Sequence, residues 1–364
     1  MKALRKIAVL GVTAGLMATG VLMTTPASAD PVSSGFAAVG SDTLDASMNA
    51  LANGTTASGA SVRVAAAGSY FGSFDAFPTG SKIQTKPFGA YFVRPSGSGQ
   101  GRDALRASIT GNLWNGVSIS GQVDIARSSS GPGGNANANG LLAYVPYARD
   151  AVSYAYKAQD AAAAAVLAEL SQAQLNSIYS AAAPTVISGI TINPRLPQSG
   201  SGTRSFFLGA IGVTTPGAAV PAADNTANGP AENDATVLGT NEIIPFSVAN
   251  WVAQSNNVAP NTIGSTGVLL GSSIPGTAPF TGSGSSLVPN APFYANTTFG
   301  RDTYLIVEYA RINSASATYD ANLASLVTQL TSYGTLPSTP GAVKTKFGFR
   351  APSSTTVIRA YATL

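Results

Sequence analysis

Apolar stretches that run directly into loops of glycine, serine and threonine recur along this chain, and no other feature constrains its fold as strongly. The first stretch, residues 36–39, is followed by Gly-Ser-Asp-Thr at 40–43. Residues 44–51 then carry large apolar side chains at helical spacing. This order predicts a strand, a short loop and a helix, with the loop at the helix N-terminus.

The same order returns twice in the next part of the chain. Residues 90–94 predict a strand, 95–101 form a serine- and glycine-rich loop, and 102–110 have a helical spacing of apolar residues. A third strand, 122–126, runs into Arg-Ser-Ser-Ser-Gly at 127–131. Strands that alternate with helices favour an α/β fold with a parallel-type sheet, in which ligands collect beyond the carboxyl ends of the strands.

A fourth loop, Gln-Ser-Gly-Ser-Gly-Thr-Arg-Ser at 198–205, follows a predicted strand at 185–192 and leads into an apolar segment. A helix that begins here would present backbone N–H groups, hydroxyl donors and the positive end of its dipole to an oxyanion. Taken alone, the loop is also typical of an ordinary N-cap. The companion loops favour the anion site.

The remaining elements are predicted from spacing and composition. Residues 141–147 and 151–156 predict two extended, tyrosine-rich strands, and residues 303–309 predict a further strand. Helices are expected at 161–170 and 171–179 and around Leu323 to Leu330. Residues 213–290 are rich in small polar residues, which predicts long surface loops interrupted by apolar islands at 241–252 and 266–270.

The first 29 residues predict a cleavable signal peptide. Lys2, Arg5 and Lys6 precede an apolar run, and Ala-Ser-Ala at 27–29 fits the cleavage rule, so the mature chain would begin at Asp30. A membrane anchor is the alternative, but the run is short and contains glycines. No cysteine follows it to carry a lipid. We therefore expect a secreted, extracellular protein.

The composition excludes several kinds of chemistry. The chain has no cysteine and no histidine, which rules out disulfides, zinc–thiolate sites and Ser-His-Asp triads. We expect no catalytic residues, no metal and no cofactor. Of 20 Lys and Arg residues, three lie in the signal peptide, so 17 remain against 16 acidic residues, a net charge of +1. This balance does not support attraction to nucleic acid.

The four loops together resemble those of the phosphate-binding receptors of ABC importers, which belong to the type II periplasmic binding protein class. The matching motifs are Val-Gly-Ser-Asp-Thr-Leu at 39–44, Ser-Gly-Ser-Gly at 96–99, Val-Asp-Ile-Ala-Arg-Ser-Ser at 123–129 and Ser-Gly-Ser-Gly-Thr at 199–203. The resemblance covers nearly the whole mature chain.

The resemblance implies a two-lobed α/β fold, with a mixed, mainly parallel sheet in each lobe. Residues 30–144 and 301–364 would form lobe 1, and residues 145–300 would form lobe 2. Two chain crossings, near 144–156 and 300–304, would be the hinge.

The resemblance also implies which residues bind the anion. They are Ser41, Thr43, Ser96, Ser98, Arg127, Ser128, Ser129, Arg195, Ser201, Gly202, Thr203 and Arg204. In the family an arginine lies four residues before the serine equivalent to Ser201, a position that Pro197 occupies here. Arg195 is favoured on the assumption of a two-residue insertion, with Arg204 and Arg127 as alternatives.

The third loop departs from the family, whose aspartate there accepts the proton of hydrogen phosphate. Ser129 stands at that position. Asp42 is the alternative acceptor, although it would equally serve as a helix cap, and Asp124 either lies near the site or pairs with an arginine. Selectivity for phosphate over sulfate is therefore an open expectation.

The function expected from the sequence is capture of inorganic phosphate or a related oxyanion by a secreted, monomeric solute-binding protein. It would serve an ABC permease in the membrane or act as a scavenger, and it would not be an enzyme. A secreted phosphatase or glycosidase is the first alternative, since a glycosidase needs only two carboxylates. A cell-wall interaction protein is the second, because the surface is rich in Ser, Thr and Gly.

Overall fold

Helices and strands alternate through most of the chain. The computed structural model describes residues 30–31, 35–66, 70–263 and 267–361, so the predicted signal peptide lies outside the described residues. The strands are β1 (Phe36–Gly40), β2 (Phe71–Ser73), β3 (Lys82–Ile83), β4 (Phe92–Val93), β5 (Leu113–Trp114), β6 (Val117–Ser118), β7 (Ile125–Ser128), β8 (Leu142–Lys157), β9 (Thr185–Ile187), β10 (Ile190–Pro194), β11 (Glu242–Ser247), β12 (Leu269–Gly271), β13 (Phe280–Thr281), β14 (Val288–Pro289), β15 (Gly300–Glu308) and β16 (Ile358–Ala360).

The helices connect these strands and cover the main sheet. They are α1 (Asp45–Asn53), α2 (Ser98–Thr110), α3 (Ala161–Leu167), α4 (Gln172–Ser180), α5 (Gly202–Ala210), α6 (Val248–Ser255), α7 (Ala291–Ala295), α8 (Tyr309–Ile312), α9 (Ala321–Thr331) and α10 (Pro340–Lys346), with short 3₁₀ turns at Asp42–Leu44, Gly133–Asn135 and Ala222–Asn225. No described helix has both the length and the apolar character needed to cross a membrane.

One ten-stranded sheet organises the fold, in the order β2-β1-β7-β15-β8-β11-β10-β9, with β12 and β16 also paired to β8. β1 pairs in parallel with β2 and β7, and β10 pairs in parallel with β11. The long strands β8 and β15 join these parallel groups through antiparallel pairs. The mixed α/β class predicted from the sequence is confirmed.

The predicted pair of strands at 141–147 and 151–156 is a single strand of 16 residues, β8. Pro146 and the charged pair Arg149-Asp150 interrupt its apolar pattern, which is why the sequence suggested two strands. The tyrosines of this strand are packed within the sheet layers. Tyr144, Tyr147, Tyr154 and Tyr156 are all buried.

A register shift interrupts the ladder between β8 and β15. Tyr304 lies opposite Pro146, whereas Thr303 lies opposite Ala148, so Tyr147 is the extra residue of a bulge. Its carbonyl accepts a hydrogen bond of 2.9 Å from Nζ of the buried Lys344. The proline, which cannot donate to a ladder, is thereby accommodated in a central strand.

Apolar residues form several buried clusters on the two faces of the sheet. Helix α9 shows how the sequence produces them, because all its large apolar residues lie on one face and are buried: Leu323, Leu326, Val327 and Leu330. Each contributes roughly 1.5–3 kcal/mol when removed from water. Helix α4 begins with a capping box, a reciprocal pair of bonds between Ser171 and Gln174.

The segment 213–290 contains more structure than the surface loops predicted for it. It provides β11, α6 and three short strands, and its acidic residues Asp224 and Glu232 are buried. The apolar island at 241–252 is confirmed as β11 and α6. These strands and this helix were not predicted because small polar residues pack closely without producing an apolar periodicity in the sequence.

Candidate functional site

The first loop begins where β1 ends at Gly40. Its φ of +112° favours glycine, and a side chain there would approach the Arg127 carbonyl oxygen to 2.8 Å. The chain therefore turns sharply into the 3₁₀ turn Asp42–Leu44 and then into α1. Ser41, Asp42 and Thr43 are all buried at this turn.

The fourth loop forms the N-terminus of α5. Ser201 is its N-cap, and the Ser201 hydroxyl oxygen accepts a hydrogen bond of 3.0 Å from the Arg204 N–H. Gly202 follows because a side chain there would clash with the hydroxyls of Ser98 and Ser129. Thr203 Oγ1 lies 3.4 Å from Thr43 Oγ1, so the first and fourth loops meet.

The second and third loops meet at the same place. The Ser98 hydroxyl, on the first residue of α2, lies 3.1 Å from the Ser129 hydroxyl and accepts a bond of 3.0 Å from the Ser129 N–H. Gln198 also links the second and fourth loops, since its side-chain amide donates to the Ser96 carbonyl at 2.7 Å. The structure thus brings together all four loops that the sequence singled out.

Two of the predicted hydroxyls serve their own loops. The Ser96 hydroxyl donates to Gln100 Oε1 at 3.3 Å, and the Ser128 hydroxyl donates to the Ser130 carbonyl at 2.7 Å. By contrast, the buried Ser41 hydroxyl has no hydrogen-bond partner among the described residues.

The three arginines predicted for the anion are directed elsewhere. Arg195 makes a bidentate pair with Asp224 at 2.8 and 3.0 Å, and Arg204 donates to the carbonyls of Pro197 and Asp224. These contacts fasten the 222–225 turn to α5. Arg127 is fully buried and donates to Ser73 Oγ at 2.7 Å, and it pairs with Asp45 at 3.1 Å. None of the three guanidinium groups contacts Thr43 or Thr203 in the bonds that the structure describes.

Arg301, on β15, supplies the guanidinium instead. Its Nη2 donates to Thr203 Oγ1 at 2.8 Å and lies 3.3 Å from Thr43 Oγ1. Asp150 of β8 holds the other side of this group, at 2.8 Å from Nη2 and 3.1 Å from Nε. The Asp150 carboxylate is itself fixed by Ser247 Oγ and the Ala249 N–H. Arg301 is thus positioned on two rigid strands and aimed at the loops.

A second acidic residue occupies the centre of this arrangement. Glu232 Oε1 accepts a hydrogen bond from the Thr43 hydroxyl, and Oε2 accepts bonds from the Ser201 hydroxyl and from the Thr203 N–H at 3.2 Å. Glu232 lies in a turn between the 222–225 turn and β11 and is 2% exposed. We call Thr43, Ser201, Thr203 and Arg301 the donor cluster.

Asp42 lies beside Glu232, and the two carboxyl groups titrate differently. Burial raises the pKa of Asp42 well above its usual value, and the Glu232 charge acts in the same direction. Burial opposes ionisation of Glu232 as well. The hydrogen bond to Asp42, the Arg301 charge and the Ser201 and Thr43 hydroxyls outweigh it, however, so the pKa of Glu232 lies below its usual value. The two pKa values are thus shifted in opposite directions, so Asp42 keeps its proton to a higher pH than Glu232 does.

The sequence motifs singled out the hydroxyl and N–H donors of this cluster but not its charged groups. Arg301, Asp150 and Glu232 were not predicted. The sequence contains one signal for Arg301 and Asp150, since an Arg-Asp dipeptide occurs at 149–150 and again at 301–302. When two such dipeptides pair in antiparallel strands, each arginine lies opposite the aspartate of the other strand. Asp124 forms an ion pair with Arg311 at 2.7 Å, so the alternative that it pairs with an arginine is confirmed.

In this structure the donor cluster holds the oxygen atoms of the Glu232 carboxylate. It joins Ser201 and Thr203 at the N-terminus of α5, and Thr43 in the turn before α1, to one guanidinium, a set that suits a desolvated oxyanion. In the part of the chain that the structure describes, no three acidic side chains are grouped to hold a metal ion.

No family model matches the sequence, and no significant match is found among the curated proteins. Among solved structures, the chain is similar to an ABC-type phosphate transport receptor from Vibrio cholerae, at 15% identity and a TM-score of 0.49, covering 87% of this chain and 100% of that one. A phosphate-binding protein from Stenotrophomonas maltophilia matches at 15% identity and a TM-score of 0.48, covering 88% of this chain and 91% of that one.

A third solved structure is a putative phosphate ABC transporter substrate-binding protein from Clostridium perfringens with bound phosphate. It matches at 13% identity and a TM-score of 0.44, covering 80% of this chain and 92% of that one. All three of these structures are named as phosphate-binding or phosphate-transport proteins, and two of the names place them in ABC transport systems.

Proposed function

We propose that this chain is a secreted solute-binding protein that captures inorganic phosphate, or a closely related tetrahedral oxyanion, at the donor cluster. The anion would accept hydrogen bonds from the hydroxyls of Thr43, Ser201 and Thr203 and from the Thr203 N–H. Arg301 would supply the positive charge. Ser98 and Ser129 would support Gly202 from behind and keep the start of α5 in place.

One observation carries the proposal: donors from sequence-distant segments converge on a single pair of carboxylate oxygens. Hydroxyls from the first and fourth loops, a backbone N–H at the start of α5 and, beside them, a buried guanidinium surround the Glu232 carboxylate. A buried anion is costly unless such donors surround it. Hydrogen bonds to a charged group contribute about 1.5–3 kcal/mol each, and the α5 dipole adds roughly 0.3–1 kcal/mol.

The division into two lobes, 30–144 plus 301–364 and 145–300, belongs to the same proposal. The crossing strands would be β8 and β15, and the contacts of the first and second loops with the fourth would hold the lobes closed over the anion. The protein would then deliver its ligand to an ABC permease or retain it as a scavenger, acting as a monomer outside the cell.

Calorimetry with phosphate and with sulfate, on protein stripped of ligand by unfolding and refolding, tests the function. We expect a saturable response to phosphate at micromolar concentration. Thr203→Ala removes one hydroxyl donor and should weaken binding roughly 10- to 100-fold, which is the value of one hydrogen bond to a charged group. Thr328→Ala, at an exposed position on α9, is the matched control and should leave affinity unchanged.

A protein that responds to neither anion would refute the proposal. Equal affinity for phosphate and sulfate would support the anion site but show that it does not select phosphate. That result would agree with Ser129, which provides no carboxylate to accept the proton of hydrogen phosphate. Release of product from phosphate esters or glycans would instead support the enzyme alternative.

A further inference from the structure

We propose that Glu232 is a specificity-determining residue that fills the donor cluster in the unliganded protein and has to leave it before an external anion binds. The inference rests on the proposed function. Its carboxylate would act as an internal competitor that a tetrahedral dianion displaces and a simple monoanionic carboxylate does not.

The contacts of Glu232 are those expected of a bound anion. Its two oxygens accept from the Thr43 hydroxyl, the Ser201 hydroxyl and the Thr203 N–H, which are the same groups that the proposed function assigns to phosphate. The hydroxyl of Thr203 and Nη2 of Arg301, 2.8 Å apart, complete the surroundings. Glu232 and an entering anion therefore cannot use these donors at the same time.

Unsatisfied donors remain on the two elements that supply Thr43 and Arg301 to the donor cluster. Among the residues that the structure describes, two buried donor atoms at the first loop and on β15 have no hydrogen-bond partner, namely Ser41 Oγ and Arg301 Nη1. Arg301 is 4% exposed and Ser41 is 1% exposed, so bulk water does not replace the missing partners. A carboxylate offers two oxygens in a plane, whereas a tetrahedral oxyanion offers four in different directions and is able to reach further donors.

The charges around Glu232 also favour its displacement by an entering dianion. The groups that face Glu232 are Arg301, with its partner Asp150, and Asp42, which in turn faces Asp45. The only positive charge among these groups is that of Arg301, which is already paired with Asp150. A dianion beside an ionised Glu232 would meet strong repulsion in this buried space, so Glu232 has to move away or take up a proton.

The structure provides a place for the displaced side chain. The turn that carries Glu232 borders a cleft of about 950 Å³, which is lined by its neighbours Ala231, Asn233 and Asp234 and also by Asp42. The backbone of the turn is anchored, because the Asn233 carbonyl accepts bonds from Gln254 and Thr262. We place the displaced Glu232 side chain in this cleft, with the hydrogen bonds to the Asn233 carbonyl kept.

Competition from within the chain sets the selectivity. A tethered group has an effective concentration in the millimolar range or above, so acetate or formate, which offers the same two oxygens, gains nothing by replacing it. A dianion gains a second charge and reaches the unpaired donors. Removing the Glu232 carboxylate should consequently tighten phosphate binding and also open the site to small carboxylates.

The test compares the native chain with Glu232→Ala, Glu232→Gln and the control Glu169→Gln, which removes one charge at an exposed position. Calorimetry is run with phosphate, sulfate and acetate, and melting temperatures are recorded with and without acetate. We expect Glu232→Ala to bind phosphate at least about tenfold more tightly, a difference of about 1.4 kcal/mol. It should also be stabilised by millimolar acetate, unlike the native chain and Glu169→Gln.

Glu232→Gln keeps the shape of the side chain and an acceptor oxygen while removing the charge, so it should also bind phosphate more tightly if the alanine variant does not fold. Weaker phosphate binding by both variants, with no effect of acetate, would overturn the inference and leave the phosphate function standing. Stabilisation of Glu232→Ala by acetate, with no phosphate or sulfate binding by any of the proteins, would refute the proposed function and retain Glu232 as the occupant of the donors.

Discussion

Two Arg–Asp ion pairs lie next to each other across the ladder of β8 and β15, and their surroundings differ. Arg301 pairs with Asp150 at 2.8 Å, and one residue along each strand Arg149 pairs with Asp302 at 3.1 Å. Because neighbouring residues of a strand point to opposite faces, the two pairs lie on opposite sides of the sheet.

The Arg149–Asp302 pair is saturated by its surroundings. Arg149 Nε donates to the Tyr294 carbonyl at 2.6 Å, and Asp302 accepts from the N–H and the hydroxyl of Ser353. The Arg301–Asp150 pair is more deeply buried, with side chains 2% and 0% exposed, yet it leaves Nη1 of Arg301 without a partner among the described residues. A saturated pair stabilises the ladder, and an unsaturated one keeps donor capacity for something else.

Replacing each arginine by methionine should separate the two roles most clearly. Arg301→Met leaves Asp150 buried without its cation, so the free energy of unfolding should fall by about 3–5 kcal/mol and the phosphate response should vanish. Arg149→Met should cost less, about 1–3 kcal/mol, because Ser353 still serves Asp302, and phosphate affinity should persist. Chemical denaturation and calorimetry on the same samples measure both effects.

The double variant Asp150→Asn with Arg301→Met removes both buried charges and is the control for misfolding. It should recover much of the lost stability without recovering phosphate binding. If Arg149→Met lost the phosphate response and Arg301→Met kept it, the distinction between the two pairs would be wrong.

The groups near Arg301 should contribute more to the pH dependence of stability than those near Arg149, because Asp42 is among them. Its pKa in the folded protein is raised above the unfolded value of about 3.9 by burial and the Glu232 charge, so the proton stabilises the folded state. That contribution is complete below the unfolded pKa and is lost as pH rises through the folded pKa. Asp45 acts in the same direction, since burial raises its pKa to about 7.

Asp42→Asn should accordingly lose less stability than the native chain between pH 4 and pH 7. Melting curves across this interval measure the difference between the two proteins, which removes the contribution of the other acids. Coincident pH profiles would show that burial and the Glu232 charge do not raise the pKa of Asp42.

The smallest change in stability is expected for a substitution next to the Arg149–Asp302 pair. Ser353→Ala removes one hydroxyl that donates to Asp302 at an exposed position, so stability should fall by about 0.5–1.5 kcal/mol. Phosphate affinity should stay the same, which calorimetry checks. A change in affinity would mean that the two ion pairs are coupled through the strands.

Much of the fold was predictable because its signals are local. The loop at 40–43, the helix start at Ser201 and the capping box at Ser171 are each recognisable from a few neighbouring residues. The continuous strand β8 was not, since Pro146 and Arg149-Asp150 break its pattern. Their accommodation depends on β15 and on Lys344, residues that lie far away in the sequence.

The candidate site divides in the same way. Its hydroxyl and N–H donors come from short motifs, whereas the charged groups come from distant segments. Thr43 contacts Glu232 across 189 residues of sequence and Arg301 across 258. Arg195 and Arg204 were predicted to bind the anion because they are close to Ser201 in sequence. Both instead donate hydrogen bonds to Asp224, which lies in a polar loop whose sequence does not indicate this pairing.

The bulge at Tyr147 decides which charges meet. If the uniform register of Tyr304 with Pro146 continued along the ladder, Thr303 would lie opposite Tyr147, and Arg301 would lie opposite Arg149. Two cations would then face each other in a buried position, which destabilises a strand pair. The single extra residue converts this repulsion into two attractive pairs. The Arg-Asp dipeptides thus favour one register for the longest ladder of the sheet. A one-residue deletion near Tyr147 would shift this register and move Arg301 away from Asp150.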